Sequence, residues 1–269
     1  MEKVIKRLGR TQFLMIYLGC LGASLFTPSC ALYNPSNGTT TPTITECVIP
    51  SDQTRTFAGR WSRAPIPIAF HEGDFNSEEI TEITQAADTW NSFYSKVTPD
   101  VTVLDYGGST PRTSAAPAPT SLCSQGIIQG TEYTGNVVIY KYGANWPYDA
   151  GTMAVTINCD LSATPFNKRY MAVIKINYQD FFGAGQRQPD IQSIILHELG
   201  HLLGLEHSCE MAQKSGMPYC STPNLDPTYK VASMYPSFSS DSSGIGEQRR
   251  SLGENDQGRA NCLYGQKAK

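Results

Sequence analysis

The spacing of the histidines constrains this chain more than any other feature. Three of its four histidines fall in one run of residues 197–207, HELGHLLGLEH. His197 and His201 are four apart, so a helix presents both imidazoles from one face, one turn apart. Two imidazoles so placed can share a tetrahedral Zn²⁺. Glu198 lies one position round the helix and can reach a water on the metal without filling a ligand position. Gly204 is where the helix should break, because glycine accepts the positive φ of a sharp turn. That turn returns the chain so that His207 can supply a third nitrogen. Three protein ligands leave the fourth position open to water, which marks a catalytic rather than a structural zinc site. Water held there is acidified toward a pKa of about 7. A bare H-E-x-x-H is a modest signal, whereas the longer pattern ending in His207 is far more specific.

The amino terminus predicts export. Lys3, Lys6, Arg7 and Arg10 precede an uncharged apolar run from Thr11 to Phe26, the pattern of a signal peptide over residues 1–29. Cys30 follows Thr27-Pro28-Ser29 and resembles the acylated cysteine of a loose lipobox; ordinary signal-peptidase cleavage nearby is the alternative. Lipid on Cys30 would be the one link to a membrane. Residues 30–55, rich in Thr, Pro, Ser and Asn, read as a linker or tether. Six cysteines then remain: Cys47, Cys123, Cys159, Cys209, Cys220 and Cys262. An even number in an exported chain favours three disulfides. Fifteen pairings are open, and Cys209 with Cys220 closes the shortest loop. A net charge of −3 excludes the basic footprint of a nucleic-acid binder.

Residues 56–265 read as one domain with a short tail at 266–269. Pro65 and Pro67 flank a strand ending in Ile68-Ala69-Phe70. Asn76 and Glu79 form a capping box, and Ile80, Ile83, Ala87, Trp90 and Tyr94 then recur at helical spacing. Strands are expected at 101–104, 137–140, 152–157 and 171–176, with a loop at 107–121. Pro189-Asp190 opens the histidine helix. A last helix begins near Gly253, with Gly265 at its C-cap.

The run from His197 to His207 resembles the metzincin metallopeptidases. Ala232-Ser233-Met234-Tyr235-Pro236 looks like the methionine turn of that family, with Met234 packed beneath the metal. Several features are most similar to the matrixin branch: Ser208 after the third histidine, Trp61 with Ile66-Pro67-Ile68, Gly151-Thr152-Met153-Ala154, and the closing segment from Leu252 to Gly265. The resemblance implies an α+β zincin-like fold. A twisted mixed sheet and packed helices would form an upper lobe (56–207), and a small lower lobe (208–265) would lie across a cleft. It also implies a zinc-dependent endopeptidase with His197, His201 and His207 on one zinc, Glu198 as general base, and Gly204 and Met234 supporting the site. A protein or peptide substrate would pair with the edge strand at Gly151, Met153 and Ala154. The chain is expected to act as an exported monomer. Among its departures from the branch, two bear on the site. The 26 residues between His207 and Met234 are unusually long and carry Cys209 and Cys220. His71 stands alone, so a second histidine-bound zinc is excluded, and it is expected to be a surface or strand-end residue. No D-x-[DN]-x-[DN]-G loop supports calcium, which stays open. The rival from another class is a non-enzymatic exported module that grips peptide or glycan on the same scaffold. The intact Glu198 and histidines favour the enzyme.

Overall fold

Asn76 starts the first long element as the capping box predicts. Its side chain accepts from the backbone N–H of Glu78 and Glu79, and the Glu79 carboxylate accepts from the Asn76 N–H, which satisfies the open donors of the first turn. In the computed structural model, which describes residues 43–119, 123 and 136–265, helix α1 then runs Ser77–Val97. Its expected stripe is buried at Ile83, Ala87, Trp90 and Tyr94 and half-buried at Ile80. The signal segment, Cys30, the first part of the tether and the tail at 266–269 lie outside the described residues.

The sheet is mixed, and with the helices it makes an α+β fold. Its strands are β1 (Arg60–Trp61), β2 (Ile66–His71), β3 (Leu104–Asp105), β4 (Thr113–Ser114), β5 (Val137–Tyr142), β6 (Ala154–Leu161) and β7 (Lys168–Asn177). The main path is β1-β7-β5-β2-β3, all parallel, with β4 beside β2; among the described strands β6 alone pairs antiparallel, on β7. β7 is buried on both faces, as its nearly continuous apolar run predicts. Ala172, Ile174 and Ile176 join the main core, while Met171 and Val173 join a smaller cluster on the opposite face. The main core is covered by α1 and by α2 (Ile191–Leu203). The indole N–H of Trp90 donates to the Leu196 carbonyl at 3.0 Å and fixes one helix against the other.

Several boundaries differ from the sequence reading. The strand expected at 101–104 shrinks to Leu104–Asp105, and the side chain of Asn91 bonds Val103 N and Leu104 N and O. The loop at 107–121 contributes β4, and the strand expected at 152–157 begins at Ala154. The closing helix α4 (Glu254–Ala260) passes into a π-helical turn, Asn261–Gly265, so Gly265 ends that turn rather than capping an α-helix. A short helix, α3 (Pro227–Lys230), stands in the long insert.

Three disulfides join Cys47 to Cys262, Cys123 to Cys159 and Cys209 to Cys220. The last is the short loop expected, and the set fits a chain that folds outside a reducing compartment. The first corrects the linker reading for residues 43–55, where composition alone suggested a free tether. Besides the disulfide, Val48 N donates to Gly258 O at 3.0 Å, and the wholly buried Gln53 donates to Ser208 O at 2.6 Å. The Cys47–Cys262 bond spans 215 residues, so its loss frees a large amount of chain entropy in the unfolded state. The double variant Cys47→Ser/Cys262→Ser is expected to lose about 2–5 kcal/mol of unfolding free energy in urea titration. An unchanged midpoint would show that residues 43–55 are held by other contacts.

Candidate metal centre

Asp190 caps the N-terminus of α2, its side chain accepting from Ser193 N at 3.0 Å. Arg250 donates to both oxygens of that carboxylate, and the pairing, together with the Ser193 bonds, holds Asp190 below the usual carboxylate range although burial opposes it. The helix ends at Gly204, at φ 119° and ψ 5°, where Leu205 N turns back to Gly200 O at 2.9 Å. A side chain there would be strained, and its Cβ would fall 1.8 Å from the Gly59 carbonyl oxygen. Past the turn the chain runs beside residues 56–58, with Ala58 N on Gly204 O at 3.0 Å and Glu206 N on Thr56 O at 2.8 Å. That path delivers His207 to the two helical histidines.

The three imidazoles meet as the spacing predicts. Their ring centroids are 4.7 Å apart for His197–His201 and His201–His207, and 5.2 Å for His197–His207. One ring nitrogen from each comes within 4.8 Å of the others, a group that could hold a metal ion. The tautomers suit that use. His197 Nδ1–H donates to the Ser233 carbonyl at 2.7 Å, and His201 Nδ1–H to the Leu205 carbonyl at 2.8 Å. A carbonyl only accepts, so each Nε2 keeps its lone pair. His207 Nδ1 lies 3.6 Å from Glu210, whose carboxyl is held down to about 2 by that contact and by Lys214. Burial and the neighbouring imidazoles push His197 well below its ordinary value and His201 down to about 3.

Glu198 is buried beside the cluster, and burial pushes its carboxyl up to about 7. The Thr156 hydroxyl donates toward it, 2.6 Å from Oε2, and so opposes that rise. These groups open onto a cleft of about 710 Å³. Gly151, Met153 and Ala154 line one wall, and Pro236, Ser237 and Phe238 another. Arg249 lies over the rings of Tyr235 and Phe238 and donates to the carbonyls of Tyr235 and Ser237, stapling the second wall.

Met234 is fully buried against the helix. A Cβ at residue 200 would fall 2.2 Å from its sulfur, which explains why a glycine separates Leu199 from His201. The Asp256 carboxylate holds the surrounding turn, accepting from Ser233 N at 2.6 Å, Met234 N at 3.1 Å and Gly253 N at 2.9 Å. Arg259, also buried, donates to the carbonyls of Glu206 and His207 at 2.9 and 3.1 Å. Arg169 donates to the carbonyls of His201 and Leu202 at 2.6 and 2.8 Å. Sequence reasoning missed Thr156, Arg169, Asp256 and Arg259. Only Asp256 carried a signal, as the third residue of a helix start, and that marks a cap rather than a reach back to Met234. His71 ends β2 half-buried, 3.1 Å from Asp74 and away from this cluster, as a strand-end residue would.

No protein-family model matches the chain, and no curated protein matches it in sequence. Among solved structures it is similar to high choriolytic enzyme 1, a hatching enzyme zinc-protease from Oryzias latipes (medaka fish). The two share 15% identity over 78% of this chain and 95% of that one, at a TM-score of 0.33.

Two outcomes follow from this geometry. Gly204→Ala is expected to cost about 3 kcal/mol or more, by backbone strain and collision with Gly59; a variant as stable as the parent in thermal unfolding would show that the turn can be rebuilt. His201 bears on pH dependence. Its folded pKa lies below the ordinary 6.5, so the unfolded chain binds more protons between the two values and stability falls as pH drops through that window. Glu198, raised rather than lowered, acts in the opposite sense, so a difference measurement is needed. The unfolding free energy of the chelator-treated protein, relative to that of His201→Gln, should fall by at most about 2 kcal/mol between pH 7.5 and 5. A constant difference would mean that the imidazole protonates freely in the folded state.

Proposed function

We propose that this chain is a zinc-dependent endopeptidase of the metzincin type, with the matrixin branch as its nearest resemblance. The observation that carries the reading is the convergence of His197, His201 and His207, with two Nδ1–H groups committed to carbonyls, beside a buried carboxylate at the wall of an open cleft. Three imidazole nitrogens with one side free suit a single catalytic zinc. Zinc bound there would supply Lewis acidity toward a peptide carbonyl and lower the pKa of a water.

The residues of the chain do the rest. A substrate strand would add to the edge of β6 that faces away from β7, with Gly151, Met153 and Ala154 beside its backbone. Glu198 takes a proton from the attacking water at a carboxylate oxygen and passes it to the leaving nitrogen as the C–N bond breaks. A carboxyl poised near neutral pH can accept and return that proton. Gly204 and Met234 shape the site without binding the metal. The cleft would separate an upper lobe from a smaller lower one, the substrates being exported or extracellular polypeptides. Export itself, with or without lipid at Cys30, belongs to this proposal.

Metal analysis of the purified protein should find about one zinc per chain. Glu198→Gln should keep that zinc while casein cleavage falls by about 10³-fold or more. A folded protein that binds no zinc, or a Glu198→Gln variant that still cleaves, would sink the reading.

A further inference from the structure

β6 carries more than a template edge. Strand periodicity places Thr156 and Asn158 on one face, and both turn toward α2. The Thr156 hydroxyl lies 2.6 Å from Glu198 Oε2 and 3.0 Å from the Glu198 carbonyl oxygen. Two residues on, Asn158 Nδ2 donates to the His201 carbonyl at 3.2 Å. Arg169, paired with Asp160, grips that same carbonyl from β7. The strand proposed to hold substrate is therefore bonded directly to the residue proposed to move the proton.

We propose that Thr156 is a positioning residue for Glu198, an inference that rests on the peptidase reading above. A hydroxyl has one hydrogen to give, and the shorter contact is to the carboxylate. Donated to Oε2, it occupies one oxygen, leaves Oε1 for the proton that must move, and stops rotation about the last side-chain bond of Glu198. A carboxylate without that bond would still be buried but could turn its oxygens away from the attacking water. Because Thr156 sits on β6, the same contact also sets the distance between the base and a peptide paired with that strand.

Valine matches threonine in shape and lacks only the hydroxyl, so Thr156→Val tests the bond and Thr156→Ser restores it. Thr156→Val is expected to keep about one zinc per chain and to lower kcat about 10–100-fold, the scale of a misplaced catalytic group, with KM changed less than about threefold. Thr156→Ser is expected to lie within about threefold of the parent in kcat. A crystal structure of metal-free Thr156→Val should show the Glu198 carboxylate turned from the position it holds here. The proposal is overturned if Thr156→Val keeps the parental kcat, or if Thr156→Ser loses as much as Thr156→Val. Either result leaves the peptidase reading intact. A zinc-loaded parent that cleaves no peptide overturns that reading instead, and this proposal with it.

Discussion

The reversal of the chain at Gly204 is the constraint on which the rest of the site depends. A helix can present His197 and His201 by its own geometry, but the third imidazole needs the chain to leave the helix axis and come back. Only a residue without a Cβ can adopt φ 119° here at little cost, and only such a residue clears the Gly59 carbonyl. The turn also decides the packing of the amino-terminal strands. Residues 56–58 run beside 204–206 because the reversed chain offers them backbone partners. One backbone conformation thus joins the histidine cluster to the sheet.

Around that turn the structure uses buried polar groups rather than more apolar packing. Asp256, Arg259 and Arg169 each bind backbone atoms of the segments that bear the histidines or Met234. Burial pushes Asp256 up, against the pull of Arg259 and three backbone N–H groups. Removing such charges from water is costly, and their hydrogen bonds do little more than offset the loss. Their contribution is position: a guanidinium that must reach two carbonyls allows only one placement of His207. The apolar residue with a comparable role is Met234, whose sulfur fills the space left by Gly200.

The parts legible in the sequence share one property, that their determinants lie within a few residues of one another. The capping box at Asn76, the stripe through Trp90, the helix from Asp190 to Gly204 and the short Cys209–Cys220 loop were all read from such local patterns. Where the reading failed, a distant partner had overruled local composition. Residues 43–55 have the composition of a tether, yet Cys262 and Ser208 hold them in place.

The histidine spacing, the glycine that breaks the helix and the candidate base were thus determined by the sequence alone, because helical periodicity and the steric freedom of glycine are properties of adjacent residues. Tertiary structure alone decided which carbonyl takes up the His197 Nδ1 proton, which carboxylate holds the Met234 turn and that Thr156 meets Glu198. Those contacts join residues 36, 22 and 42 positions apart along the chain. Nothing in local sequence encodes such distances; they follow from the register of β6 on β7 and the seating of α2 against both.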